Sequence, residues 1–204
     1  MIVKVCGLTD QDQVQTCIDH GADFCGFILN YKKSHRYLEQ NQLEKLLTIN
    51  RHKTKFVGVL VKPSLEELDI FSRLGFDYFQ IYECTDEQIK TYQSKYQTKI
   101  IAALKISQAT DVLNYMQYKH ADYLLFDSTG MEKTLSWDFD WIKKVPTTVK
   151  KFVAGGIAID HYEKLSKINK LTKIAVDASG ALETDKIKDL EKIKTFLKIY
   201  KKDG

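Results

Sequence analysis

The sequence predicts a single closed (β/α)8 barrel, the TIM-barrel fold, spanning residues 1–204. Eight short apolar, β-branched runs alternate with longer segments of helical periodicity, at a spacing of roughly 22–32 residues. Parallel strands need crossovers of a dozen or more residues, and these segments supply them. A length of 204 residues suits one such barrel near the short end of its range, and no shift in composition marks a domain boundary. An open doubly wound sheet is the competing architecture, but it usually has fewer strands, and the first strand-to-helix turn, CGLTD, lacks a GxGxxG fingerprint.

The predicted strands are apolar runs, each followed by polar or glycine-containing punctuation. They cover 2–6, 23–29, 55–61, 77–82, 99–104, 121–127, 150–155 and 173–178.

Helix signals fill the segments between these runs. Thr9 or Asp10 can cap a helix over 11–20, which ends at Gly21. Ser64 can open a helix that closes at Gly75, with an apolar stripe recurring every third residue as core packing requires. The other predicted helices are 86–96 behind a Thr85–Gln88 capping box, 108–119 opened by Ser107, 161–169 opened by Asp160, and a last one from about 184 to 201.

Composition and charge exclude several classes of function. The net charge of +4, from 31 basic and 27 acidic residues, is too weak and dispersed to indicate nucleic-acid binding, although it suits a small anionic ligand. No apolar run is long enough to span a bilayer, and the N-terminus lacks a signal-peptide core. The four cysteines and five histidines show no metal-ligand spacing, so we expect reduced thiols, a cytoplasmic location and no metal site.

Candidate functional residues lie where the predicted strands end, which is where barrels of this type hold their active sites. Strand 1 ends at Cys6, a buried apolar residue in one interpretation and a thiolate base in the other. Strand 6 ends at Asp127, either a surface cap or, in a partly apolar mouth, a proton donor with a raised pKa. The loop after strand 2 carries Arg36, which is either solvated or placed to grip a carboxylate.

Glycine-containing turns follow strands 7 and 8, the usual phosphate-binding loops of this fold. Gly155-Gly156 ends one strand, and Ser179-Gly180 follows Asp177 at the end of the other. Glycines allow backbone N–H groups to approach an anion closely, and a helix N-terminus adds partial positive charge. Either turn alone would indicate only a tight turn, but the two together predict a phosphate site.

These residues, in this order, resemble the phosphoribosylanthranilate isomerase family of tryptophan biosynthesis. The similarity extends from the first strand to the last helix. It is carried by KVCGLT at 4–9, GADFCGFIL at 21–29, KKSHRY at 32–37, KFVGVLV at 55–61, YLLFD at 123–127, FVAGGI at 152–157, AVDASGALE at 175–183 and Lys188-Asp189.

The resemblance implies a reaction and a role for each candidate. The reaction is an Amadori rearrangement of a phosphosugar substrate, with no cofactor or metal, by a monomer or homodimer. Cys6 would be the general base, Asp127 the general acid and Arg36 the ligand of the anthranilate carboxylate. The remaining substrate-binding positions would be Gly155, Gly156, Asp177, Ser179 and Gly180.

The chain departs from the family pattern in three places. Its fourth strand ends Gln80-Ile81-Tyr82-Glu83 where the family usually has Gln-Leu-His-Gly, and the loop at 128–136 is shorter and poor in glycine. Its last turn has a glycine where a second serine is common. Two alternatives therefore stay open. One is another phosphosugar enzyme on the same barrel, such as an indole-glycerol-phosphate synthase-like protein or a histidine-pathway isomerase-like protein, although Cys6 ends strand 1 where the latter has an aspartate. The other is a barrel that binds a phosphorylated ligand without turnover, which the presence of both proton-transfer groups opposes.

Overall fold

A computed structural model describes residues 1–128 and 137–202, and the strands in these ranges close into the predicted barrel. All neighbouring strands are parallel and follow one another in chain order, and β1 pairs with β8 to complete the ring. An open sheet is thereby excluded. The barrel strands are β1 (Ile2–Cys6), β2 (Phe24–Ile28), β3 (Lys55–Val61), β4 (Tyr78–Tyr82), β5 (Lys99–Ile106), β6 (Tyr123–Ser128), β7 (Lys151–Val153) and β8 (Ala175–Ala178).

Helices cover the outside of the barrel, and three of the predicted caps form. The side chain of Asp10 accepts a hydrogen bond from Gln13 N, while Ser64 and Thr85 each complete a capping box. These caps satisfy backbone donors that have no partner inside the helix. The helices are α1 (Gln11–Asp19), α2 (Gln40–Leu47), α3 (Leu65–Phe71), α4 (Asp86–Tyr96), α5 (Tyr162–Thr172) and α6 (Leu190–Tyr200). Within the described ranges, none of them is long and apolar enough to cross a membrane.

Three predicted helices differ from the observed segments. The segment predicted as 108–119 is a 3-10 helix, Asp111–Gln117, and Ser107 does not cap it. Instead the Asp111 carboxylate accepts hydrogen bonds from Ser107 and Gln108, which closes a local turn in competition with the first α-helical turn. Asp160 does not open α5, because a short 3-10 turn, Ile159–His161, precedes that helix.

The last helix begins later than predicted. A two-stranded hairpin, β9 (Glu183–Thr184) and β10 (Ile187–Lys188), occupies the start of the segment expected to be helical from about 184. Asp189 then caps α6 by accepting hydrogen bonds from Glu191 N and Lys192 N. The hairpin places two charged side chains, Glu183 and Lys188, beside the mouth of the barrel.

Aromatic side chains fill the N-terminal half of the barrel interior. Phe24, Tyr78, Tyr123 and Phe152 meet with ring centroids 5.1–6.1 Å apart, mostly edge to face. Such contacts stabilise a core beyond simple burial of area. Because these rings come from the first or second positions of their strands, polar residues at later positions face the open, C-terminal end.

Candidate active site

A pocket opens at the C-terminal ends of the strands, above the aromatic cluster. The structure brings every predicted site residue to its wall: Cys6, Arg36, Asp127, Gly155, Gly156, Asp177, Ser179 and Gly180. Gln80, Tyr82 and Ser128 line it as well. The loop at 128–136, by contrast, lies outside the described residues except for Ser128.

Asp127 forms one side of the pocket and is held by hydrogen bonds at both oxygens. Tyr82 donates its hydroxyl proton to Oδ2 at 2.8 Å, and the backbone N–H of Ser128 donates to Oδ1 at 2.8 Å. Burial raises the pKa of Asp127 to about 6, although the hydrogen bond from Tyr82 opposes the shift. The carboxyl group therefore changes protonation state close to neutral pH, as a proton donor for catalysis should.

Tyr82 is in turn contacted by Gln80, two positions earlier on β4. Nε2 of Gln80 donates to the Tyr82 hydroxyl at 3.3 Å. Burial, together with the charge of Asp127, raises the pKa of Tyr82 well above its usual value. The phenol consequently remains a hydrogen-bond donor across the whole physiological pH range.

Cys6 lines the same pocket from the end of β1, next to a buried lysine. Lys4 lies two positions earlier on β1, and its ammonium group lowers the pKa of the thiol. A Cβ atom on Gly26 would lie 2.7 Å from Cys6 Sγ and 3.1 Å from Lys4 Nζ. The absence of a side chain at Gly26 on β2 therefore gives these two groups the space to meet.

Lys4 also forms a buried ion pair with Asp177 on the adjacent strand β8. Nζ of Lys4 and Oδ2 of Asp177 are 2.9 Å apart, and both side chains are almost completely buried. Burial, the largest single influence, would lower the pKa of Lys4, but the charges and hydrogen bonds of Asp177 and Cys6 together outweigh it and raise the value. A fixed positive charge thus lies beside the Cys6 sulfur at neutral pH.

The thiol of Cys6 is nevertheless protonated in the free protein. Burial raises its pKa above the usual value of 9.0, Lys4 lowers it, and Asp177 adds to the increase. The sequence left Cys6 as either a buried apolar residue or a thiolate base, and with a raised pKa the second role depends on the positive charge of Lys4. Removing the Lys4 charge would make the thiolate rarer still.

Arg36 reaches the pocket while bound to the β9–β10 hairpin. Its Nε and Nη2 atoms donate to the two carboxylate oxygens of Glu183 at 2.6 Å and 2.9 Å. Glu183 also pairs with Lys188. Although burial opposes it, the hydrogen bonds from Arg36 and Lys188 hold the pKa of Glu183 at about 2. The guanidinium is therefore already oriented by one carboxylate before any ligand binds.

The two glycine-containing turns follow the adjacent strands β7 and β8, so they line the part of the pocket between Asp127 on β6 and Cys6 on β1. Gly155 and Gly156 have φ angles of 90° and 73°, which favour glycine. A Cβ on Gly155 would lie 2.9 Å from Ser128, so a side chain there would collide with the end of β6. In the second turn, the Ser179 hydroxyl donates to the Cys6 carbonyl at 2.8 Å, and Lys188 Nζ lies 3.5 Å from the same hydroxyl.

Several residues of the site were missed as functional residues by the sequence interpretation. Lys4 carried a usable signal, because a lysine at an inward position of an apolar strand is costly unless it is paired. Tyr82 was noted only as a departure, and nothing in the sequence indicates its hydrogen bond to a strand 45 positions away. Glu183 and Lys188 were quoted only as motif letters, because the hairpin that places them was not predicted.

Comparison with known proteins agrees with the fold and the site. A family model described as N-(5'-phosphoribosyl)anthranilate (PRA) isomerase matches residues 3–199. The N-(5'-phosphoribosyl)anthranilate isomerase of Streptococcus mutans is 36% identical over 98% of each chain. The crystal structure of phosphoribosyl anthranilate isomerase from Thermotoga maritima superimposes with a TM-score of 0.86 at 25% identity, covering 99% of this chain and 100% of that one.

A further crystal structure extends the similarity of fold to a ligand-bound relative. It is a phosphoribosyl anthranilate isomerase in complex with reduced 1-(o-carboxyphenylamino)-1-deoxyribulose 5-phosphate. It covers 99% of this chain and 100% of its own, with a TM-score of 0.83 at 24% identity. Together with the family match over nearly the whole chain, these findings establish that this chain belongs to the N-(5'-phosphoribosyl)anthranilate isomerase family.

Proposed function

We propose that this chain isomerises N-(5'-phosphoribosyl)anthranilate to 1-(2-carboxyphenylamino)-1-deoxyribulose 5-phosphate, a step of tryptophan biosynthesis, by acid–base catalysis. Family membership supports the substrate, and one structural observation carries the mechanism. A carboxyl group with a pKa of about 6 and a thiol beside a buried ammonium group line the same pocket. An acid and a base on different strands of one pocket suit a reaction that moves protons at two different atoms of one substrate.

Asp127 is the general acid in this proposal. It donates its proton to the furanose ring oxygen while the bond from that oxygen to C1' breaks. The anthranilate nitrogen supplies the electron pair, so the ring opens to a protonated Schiff base. Because the nitrogen acts as the electron source, the step as written uses no cofactor or metal. The raised pKa of Asp127 keeps a useful fraction of the carboxyl group protonated near neutral pH.

Cys6 is the general base. As the thiolate, it removes the proton from C2', and the electrons move toward the Schiff-base nitrogen to give an enolamine. Tautomerisation of the enolamine yields the 1-deoxyribulose product, with a proton gained at C1'. Lys4 stabilises the thiolate through its adjacent positive charge. Each such positioned proton transfer is typically worth about 10²–10⁴ in rate.

The remaining site residues bind the two anionic ends of the substrate. Backbone N–H groups of the Gly155-Gly156 and Ser179-Gly180 turns bind the phosphate. A short 3-10 turn, Ile159–His161, lies between the first of these turns and α5. Arg36, oriented by Glu183, binds the anthranilate carboxylate. Asp177 contributes indirectly by holding Lys4.

The wider setting follows from the same residues. We place the protein in the cytoplasm because its four cysteines are unpaired and buried and because the chemistry requires a reduced Cys6. We expect it to act as a single-domain monomer or homodimer. Its partner is the small phosphosugar substrate, with no nucleic acid or membrane involved.

The direct test is to supply phosphoribosylanthranilate and follow the loss of its fluorescence. We expect turnover by the unmodified chain, and none above background with the double variant Cys6→Ser/Asp127→Asn. Equal rates for the two proteins would contradict the proposal, as would a chain that binds the reduced product analogue but never converts substrate.

A further inference from the structure

We infer that Tyr82, held in place by Gln80, is a positioning residue that orients the Asp127 carboxyl group through a hydrogen bond. The inference deepens the proposed function, in which Asp127 is the general acid. Tyr82 and Gln80 occupy alternate positions near the end of β4, so both side chains point into the barrel. Their hydrogen bonds run in one direction, from Gln80 Nε2 to the Tyr82 hydroxyl and from that hydroxyl to Asp127 Oδ2.

Tyr82 reaches Asp127 by crossing an intervening strand. β4 and β6 are not neighbours, because β5 lies between them and pairs with both. The residue of β5 in register with Tyr82 is Ala103, which is buried in the barrel interior against the tyrosine ring. A small side chain at this position leaves the ring room to pass over β5, and the hydroxyl then meets Oδ2 at 2.8 Å.

The hydrogen bonds fix Asp127 at both ends of its carboxyl group. The Ser128 N–H belongs to the backbone and cannot turn away from Oδ1, and Tyr82 approaches Oδ2 from the opposite side of β5. Together they set the plane of the carboxyl group. Hydrogen bonds to a carboxylate favour the charged form, so Tyr82 opposes the effect of burial on the pKa.

Gln80 contacts Tyr82 through its amide nitrogen and not through its amide oxygen. Its Oε1 atom is buried and has no hydrogen-bond partner among the described residues. A buried acceptor without a donor is destabilising. The contact from Nε2 to the Tyr82 hydroxyl is the one by which Gln80 supports the phenol.

Other charged or titratable groups surround Asp127 and remain in place when Tyr82 is changed. Lys4 and Cys6 lie on β1, and Asp177 lies on β8. Lys105 on β5 is the register partner of Asp127 and has an exposed side chain. Removal of one hydroxyl group leaves all of these charges unaltered, so a changed titration of Asp127 reports the lost hydrogen bond.

The experiment measures the Asp127 titration directly in the full chain. Aspartate labelled with ¹³C at the carboxyl carbon is followed by NMR against pH, and the Asp127 signal is assigned by its loss in Asp127→Asn. We expect Tyr82→Phe to raise the pKa of Asp127 by about one unit, the size of a hydrogen bond to a charged group. The matched control is Tyr78→Phe, which removes a hydroxyl from the other end of the same strand and leaves this pKa unchanged.

Turnover provides a second readout, which a purely structural role would not move. In Tyr82→Phe we expect the acidic limb of the kcat/KM profile to move upward by the same amount, with KM within about twofold. An unchanged Asp127 titration in Tyr82→Phe would overturn the inference. So would a shift of equal size in Tyr78→Phe.

Gln80→Met separates the contribution of the amide and gives a test if Tyr82→Phe folds poorly. Alone it should raise the Asp127 pKa by a smaller amount, and added to Tyr82→Phe it should have no further effect. Additive shifts would contradict the linear chain from Gln80 to Asp127. Because the NMR titration requires no turnover, a chain that shows the shifts but does not isomerise the substrate would refute the proposed function and leave the positioning role intact.

Discussion

The two sides of the pocket control their proton-transfer groups by different physical means. Around Asp127 the partners are neutral, namely the Tyr82 hydroxyl and the Ser128 backbone N–H. Around Cys6 the partners are charged, namely the Lys4–Asp177 ion pair. Burial is the largest influence on both groups, and it raises both pKa values.

The contrast between the two sides shows how one buried pocket can hold both a general acid and a general base. A carboxyl group needs to retain its proton near neutral pH, so burial helps it and neutral donors moderate the effect without cancelling it. A thiol needs to lose its proton, so burial opposes its role and a fixed positive charge is required beside it. Burial outweighs the effect of Lys4, and the charge of Asp177 adds to the increase, so the Cys6 pKa still lies above its usual value.

The largest expected effect comes from removing either proton-transfer group. Cys6→Ser replaces the thiol with a hydroxyl that stays protonated at neutral pH, and Asp127→Asn removes the transferable proton at nearly constant volume. Each should lower kcat by at least about 10², with KM within a few-fold, because these groups act mainly in the transition state. Steady-state kinetics measure both values. Near-normal kcat in Cys6→Ser would show that Cys6 is only a core residue and that the base lies elsewhere.

The next effect tests the charged side alone. In Lys4→Met/Asp177→Asn both members of the ion pair become neutral, which avoids leaving a buried carboxylate unpaired. Lys4 lowers the Cys6 pKa more than Asp177 raises it, so the double variant should have a higher thiol pKa and react with iodoacetamide about tenfold more slowly at neutral pH.

Peptide mass spectrometry identifies the alkylated cysteine, and Lys151→Met is the matched control. Lys151 is another buried lysine, but it donates to backbone carbonyls at the opposite end of the barrel. Faster alkylation of Cys6 in the double variant, or slowing of equal size in Lys151→Met, would show that the ion pair does not control the thiol.

A smaller effect concerns the carboxylate end of the substrate. Arg36→Ala should raise KM by about tenfold with little change in kcat, because the carboxylate it binds is present in both the ground and the transition state. Glu183→Gln removes the charge that orients Arg36, and we expect it to raise KM by about threefold. A lower KM in Glu183→Gln would mean that Glu183 competes with the substrate for the guanidinium.

The barrel and the position of the site could be predicted from the sequence because their signals are local. Strand periodicity places Cys6 and Asp127 at strand ends, and a parallel barrel brings strand ends to one face. The partners that tune these groups could not be predicted in the same way. Tyr82 acts across β5, and its reach depends on the register that sets Ala103 beside it.

The hairpin after β8 shows a second limit of sequence interpretation. Residues 183–188 have too short a pattern to be distinguished from the start of a helix, yet they supply the carboxylate that orients Arg36. Ser107 failed as a helix cap for a related reason, because the nearby Asp111 side chain offered its backbone a competing partner. Both errors arise where local hydrogen bonding overrides helical periodicity.

The proposed reaction predicts how kcat/KM depends on pH. It uses protonated Asp127 and ionised Cys6, and the pKa of Asp127, about 6, lies below that of Cys6. Between these two pKa values, the fraction of molecules that have both protonated Asp127 and ionised Cys6 is small but constant. Each proportional gain in thiolate is matched by an equal proportional loss of protonated carboxyl. Below the lower pKa further acid only removes thiolate, and above the higher pKa further base only removes protonated Asp127.

The pH profile of kcat/KM in the unmodified chain therefore tests directly whether protonated Asp127 and ionised Cys6 act together. We predict a plateau bounded by an acidic limb near pH 6, set by Asp127, and an alkaline limb above pH 9, set by Cys6. Lys4→Met/Asp177→Asn should move the alkaline limb upward. A profile with no limb near pH 6, or an alkaline limb that ignores the loss of the ion pair, would contradict the division of the pocket into a neutral acid side and a charged base side.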